Sequence, residues 1–175
     1  MEPFEKGYLQ VYTGEGKGKT TAALGLALRA AGAGLRVLIV QFIKMGDYSE
    51  INALGKLSDH IQVEQYGCGR FIDGRPSKTD VAAAQQGVKR VQDAMKDRLC
   101  DVLILEEANV AVKKGVIDER QLLEIIAARP DDMEMIVTGR YATDRVIAAA
   151  DLVTEMRMIK HYFQKGVVAR VGIEK

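Results

Sequence analysis

Tryptophan is missing from this sequence, and aromatic residues of all kinds make up only 6% of it. Base-stacking platforms for single-stranded nucleic acid are therefore not expected. The formal charge of +1 likewise argues against a polyanionic partner, whether nucleic acid or an anionic membrane. No apolar run approaches the ~18 residues that would read as a membrane span. The opening Met-Glu-Pro-Phe-Glu-Lys lacks the apolar stretch of a signal peptide, so a cytoplasmic location is expected. The two cysteines, Cys68 and Cys100, form no CxxC pair, and the expectation is reduced, structural thiols.

What is present is an ordinary globular balance: 175 residues, 47% hydrophobic and 28% charged. That length suits one domain spanning 1–175. Short β-rich runs alternate with longer helical ones. Strands are expected at 8–12, 36–42, 61–66, 101–105 and 133–138, with late strands at 152–158 and 167–171. The continuous runs Val37-Leu38-Ile39-Val40 and Val102-Leu103-Ile104-Leu105 suit strands covered on both faces. Helices are expected at 20–31, 49–57 with Ser49 as cap, 80–99 with Thr79 or Asp80 as cap, 118–128 and 142–149. The glycines, proline and charges of 67–78 read as a loop. This order predicts an α/β domain, a mostly parallel sheet with helices on both faces, with the last two strands adding an antiparallel edge.

The first strand runs into Thr13-Gly14-Glu15-Gly16-Lys17-Gly18-Lys19-Thr20-Thr21, and a helix follows. Strand, glycine-rich loop and helix form the context a phosphate loop requires. Glycines let backbone N–H groups converge on an anion, and the helix N-terminus adds its positive end. Lys19 can reach phosphate oxygens, and the Thr20 hydroxyl can reach Mg2+. The usual spacing places a glycine where Thr13 stands, so the loop is a variant. Farther on, the strand at 101–105 ends in Glu106-Glu107, which reads as the acidic element that holds Mg2+ in phosphate-loop enzymes. Aspartate is more common at the first acidic position. Glu107 could either hold the metal or activate a water, and the spacing does not separate these roles.

The loop resembles the T-G-x-G-K-G-K-T-T-A-A of the ATP:corrinoid adenosyltransferases of the CobA/BtuR type. Further matches follow in order: Gly25 to Arg29, Val40-Gln41-Phe42-Ile43-Lys44, Ala128-Arg129-Pro130, Thr138-Gly139-Arg140, Ala150 to Met156, Lys160-His161, Gly166-Val167 and Gly172-Ile173. The resemblance implies a RecA-like P-loop fold. It also implies transfer of the 5′-deoxyadenosyl group of ATP to Co(I) of a reduced corrinoid, with release of triphosphate. In this family ATP lies reversed in the loop. Position by position, Gly14, Glu15, Gly16, Lys17, Gly18, Lys19, Thr20 and Thr21 would bind triphosphate, with Lys17, Lys19 and Glu107 acting in catalysis. Thr20, Glu107 and Glu106 would hold Mg2+, Arg29 and Arg140 would contact the nucleotide, and Phe71 would pack on the corrinoid. The resemblance further implies a homodimer and a flavoprotein reductant. The sequence departs from the family at Glu106, where aspartate is usual. It also departs in the loop 67–72, where members carry bulky aromatics, often tryptophan, and Phe71 stands alone. Two other readings are a RecA-like ATPase with Glu107 activating water, and a nucleotide-binding module without turnover.

Overall fold

A computed structural model describes residues 5–57 and 59–174. Six strands, β1 (Leu9–Thr13), β2 (Val37–Phe42), β3 (Ile61–Tyr66), β4 (Val102–Glu106), β5 (Glu134–Thr138) and β6 (Leu152–Glu155), form one sheet in the order β3-β2-β4-β5-β1-β6. Every pairing is parallel. The helices are α1 (Lys19–Gly32), α2 (Ser49–Leu54), α3 (Lys78–Lys96), α4 (Ala108–Lys113), α5 (Glu119–Ala127) and α6 (Asp144–Ala149). The α/β class with helices on both faces is as the sequence indicates.

The period-two alternation of the central strands divides the core in two. Val102 and Ile104 of β4 face α1, joining Ile39, Ile136, Ala23 and Ala27. Leu103 and Leu105 point the other way, into a larger cluster with Ala84, Val88 and Val91 of α3 and Leu122 and Ile125 of α5. β2 and β4 are buried at every residue, which is why they read as unbroken apolar runs. The alanines of α1 allow that helix to lie close against the sheet.

Several boundaries differ from expectation. The C-terminal edge is not antiparallel: α6 carries the chain back to the starting end of the sheet, so β6 runs parallel to β1, Gln10 opposite Leu152. Residues 167–171 form no strand. Helix α3 begins at Lys78, because Ser77 caps it in a reciprocal box with Asp80, each side chain accepting from the other's backbone N–H. Ser49 is the first helical residue of α2, and Tyr48 occupies the cap position. Thr143 caps α6, accepting from the Val146 N–H, so that helix starts two residues later than expected. Helix α4 has no counterpart in the sequence reading.

Candidate active site

All six strands end on the same side, and a cleft of about 810 Å3 opens there. Its lining draws on the phosphate loop, the ends of β2 and β4, the turn after β5, the loop before α3 and the C-terminal segment. Four non-glycine residues of the described chain have left-handed backbone, and three of them, Ile43, Glu107 and Tyr141, follow the ends of β2, β4 and β5. Such conformations cost on the order of 1–3 kcal/mol each and concentrate at functional sites.

The phosphate loop leaves β1 and closes on its own lysine. Lys19 is buried, and its Nζ donates to the carbonyls of Gly14 (2.7 Å) and Gly16 (2.6 Å). Burial lowers the Lys19 pKa, and the Arg140 guanidinium lowers it further, against the pull of Glu107 and Glu15. Helix α1 has no side-chain cap, and Gly18 enters it in a left-handed conformation. The first-turn N–H groups, which lack intrahelical partners, thus belong to residues that line the cleft. Gly14 and Gly16 are required for a second reason. A Cβ at either would lie 2.5 or 2.6 Å from the Met156 carbonyl, to which the Gly16 N–H donates at 2.6 Å. The segment after β6 therefore lies directly on the loop.

The two adjacent glutamates have different fates. Glu106 is buried, accepts from Gln41 Nε2 and pairs with Lys44 Nζ at 2.7 Å. Both of its oxygens are engaged by protein, and it is not among the residues that line the cleft. Glu107 is turned by its left-handed backbone, and its N–H donates to Thr138 Oγ1 at 3.1 Å. Its carboxylate lines the cleft with Thr20 and has no hydrogen-bond or ion-pair partner among the described residues. Burial pushes its pKa up, against the opposing pull of Lys44. An unpaired, largely desolvated carboxylate near a threonine hydroxyl fits a divalent cation whose other ligands come from phosphate and water. No group of three or more acidic, cysteine or histidine ligands occurs among the described residues.

Arg140 reaches the cleft and pairs with Glu15 at 3.1 Å, while Lys17 Nζ donates to the Ile173 carbonyl at 3.1 Å. Gly14 and Glu15 are outside the lining, which begins at Gly16 and continues through Thr21. Phe71 lines the rim and is 99% exposed. Its neighbours are pinned: Ile72 is buried in the core, and Arg70 Nη2 donates to Asp80 Oδ2 at 2.6 Å. Arg29 lies exposed in the last turn of α1, about 15 Å along the helix from Lys19, and is not part of the lining. Its charge instead lies near the Tyr12 phenol. His161 lines the cleft, but its Nδ1 accepts the Phe163 N–H at 3.0 Å, a turn-forming role.

Sequence reasoning did not assign roles to Lys44, Tyr48, Ile173 or Glu174, all of which line the cleft. Lys44 had a signal, since it ends the Val40-to-Lys44 match. Ile173 also had one, in the Gly172-Ile173 match, and Glu174 had none.

Comparison with known proteins agrees with this arrangement. Residues 5–174 match the family described as ATP:corrinoid adenosyltransferase BtuR/CobO/CobP. A corrinoid adenosyltransferase of Pseudomonas aeruginosa is 35% identical over 171 residues, covering 97% of this chain and 84% of that protein. One from Salmonella typhimurium is 36% identical over 172 residues, covering 97% and 86%. One from Escherichia coli K12 is 35% identical with the same coverage.

Proposed function

The chain belongs to the ATP:corrinoid adenosyltransferase family, and on that premise we propose how its cleft moves the 5′-deoxyadenosyl group of ATP to the Co(I) of a reduced corrinoid. The observation that carries the reading is one cleft with a cationic phosphate loop on one wall, the unpaired Glu107 carboxylate opposite, and an exposed aromatic, Phe71, at its mouth. Co(I) is itself the nucleophile. It attacks C5′, the C5′–O bond breaks, and the electron pair leaves with triphosphate. The protein therefore has to position two substrates and stabilise a departing polyanion.

The first-turn amides of α1, with Lys19 and Lys17, receive the triphosphate. Lys19 leaves the Gly14 and Gly16 carbonyls for phosphate oxygens, a desolvated cation gaining an anionic partner. Arg140, now engaged by Glu15, is available to the nucleotide by exchange of that ion pair. Thr20 and Glu107 would hold Mg2+, which when bound supplies charge neutralisation on the phosphates. Phe71 offers an apolar surface to the corrinoid.

The proposal extends to the assembly and its surroundings. Ile159, Phe163, Val168 and Val171 are 73–96% exposed in the C-terminal segment, and we assign these apolar side chains to a homodimer contact. Light scattering at micromolar concentration checks this. Cys100 is buried with its thiol pushed up to about 11 and Cys68 is exposed elsewhere, so the two form no dithiol. We propose a flavoprotein as the electron source and the cytoplasm as the location, on the family resemblance.

The test supplies Mg-ATP and chemically reduced cobalamin anaerobically and in the dark. Light-sensitive adenosylcobalamin with one triphosphate per turnover is expected. ADP and phosphate without a corrinoid product would replace the reading with an ATPase, and tight nucleotide binding without turnover on any corrinoid would replace it with a binding module.

A further inference from the structure

We propose that Lys44 is a further polyphosphate-binding cation of the cleft, beyond those of the phosphate loop, and that Glu106 is the positioning residue that holds it there; the inference rests on the adenosyl-transfer reading above. Three observations lead to it. At the C-terminal edge of the sheet, Gln65, Gln41 and Glu106 are register partners on the adjacent strands β3, β2 and β4. They form one hydrogen-bonded row: Gln65 Nε2 donates to Gln41 Oε1 at 3.0 Å, and Gln41 Nε2 donates to Glu106. Gln41 and Glu106 are buried, so the row is a fixed structure rather than a surface coincidence. Its last member, Glu106 Oε1, holds Lys44 Nζ at 2.7 Å.

The second observation is the backbone. Ile43, which precedes Lys44, is β-branched yet left-handed at φ 55, a conformation such residues rarely adopt. It is fastened by its N–H to the Tyr66 carbonyl at 3.1 Å. Gly67 sits so close beneath that a Cβ there would lie 2.6 Å from the Ile43 carbonyl carbon. The turn that aims Lys44 is thus imposed by its surroundings, which marks a functional constraint.

Third, Lys44 lines the same cleft as Lys17, Lys19 and Arg140. Burial would lower its pKa, but Glu106 more than offsets this, so the ammonium stays charged. An ammonium has three donors, and one serves Glu106. The others remain to meet phosphate oxygens in the cleft that Lys44 lines. A carboxylate that the sequence places among metal ligands is here the anchor of a cation.

The experiment measures binding of inorganic tripolyphosphate with Mg2+ by calorimetry, and of Mn2+ to the protein–ATP complex by electron paramagnetic resonance. Lys44→Met should weaken tripolyphosphate about tenfold or more, the loss of one charge-assisted contact. Glu106→Gln should weaken it severalfold, and the double variant should be no worse than Lys44→Met. Lys44→Arg, which keeps the charge, should restore most of the affinity and controls for folding. Mn2+ affinity should stay within about twofold in Glu106→Gln. Unchanged tripolyphosphate binding in Lys44→Met, or a large loss of Mn2+ binding in Glu106→Gln, would overturn the proposal. Wild-type protein that binds tripolyphosphate through Lys44 but forms no adenosylcorrinoid would instead overturn the reaction reading alone.

Discussion

The two walls of the cleft are built in opposite ways. On one, residues 16–21 form a single contiguous stretch that turns from β1 into α1, and its lysine is satisfied by carbonyls three and five residues away. On the other, Lys44 and Glu106 meet across 62 residues of chain, and Glu107 is aimed by a threonine 31 residues farther on. The first wall is local structure whose lysine bonds locally, and only its contacts to the tail, from Gly16 to Met156 and from Lys17 to Ile173, are long-range. The second exists only because β2, β4 and β5 are neighbours in the sheet. A motif can encode the first. The second depends on topology, and the same glutamate letters yield one buried anchor and one open ligand.

The sharpest break in the comparison is Lys19→Ala. Removing the central donor to the leaving group should lower kcat/KM by roughly 10²–10³-fold, read from adenosylcobalamin formation, with little change in folding because Lys19 bonds only within its own loop.

Glu107→Gln probes the opposite wall and separates function from stability. Transfer should fall by about 10²-fold at low millimolar Mg2+ if this carboxylate holds the metal, and excess Mg2+ should recover part of it. The stability effect has the other sign. The folded pKa of Glu107 is raised, so its favourable contribution is full below the unfolded value near 4.5 and is lost as pH rises through the folded pKa. At neutral pH the charged side chain therefore destabilises the fold, and Glu107→Gln should melt higher than wild type without nucleotide or metal. An equal or lower melting temperature would contradict the desolvation argument.

Gly16→Ala tests the contact between the local wall and the tail. Its Cβ would meet the Met156 carbonyl at 2.6 Å, so loop or tail must shift. A loss of about 1–3 kcal/mol in urea unfolding is expected, together with faster proteolysis after residue 156. Gly25→Ala is the matched control, since nothing lies near a Cβ there.

The smallest effect concerns the tail alone. Arg170 holds Glu174 down to about 2, with help from Tyr162. Its stabilising contribution is present above the unfolded value near 4.5 and is lost as pH falls toward 2. Glu174→Gln should leave the melting temperature nearly unchanged yet expose residues 162–174 to protease at neutral pH. Tail protection that is indifferent to this change would place the staple elsewhere.

The strands and most helices were legible because burial on both faces writes itself as Val/Ile/Leu runs and helix stops carry Gly or Pro. Ser77 escaped notice as a cap because Thr79 and Asp80 offer the same chemistry, and only the reciprocal bonds decide between them. The C-terminal edge was misread because apolar residues at 167–171 look like a strand, while all five are exposed and form no ladder. The place of Arg29 was not legible for a geometric reason: a helix that begins at the site also leads away from it, at about 1.5 Å per residue.

By itself the sequence determined the phosphate loop, the alternation that makes a parallel α/β sheet, and membership of a family of adenosyltransferases, since each of these is carried by neighbouring residues or by their order. Only the tertiary structure decided which glutamate faces the cleft, that Lys44 joins it, and that the tail lies on the loop. Those facts depend on strand order and on a few left-handed residues at strand ends, and hydrogen bonds between distant segments leave no periodicity to read.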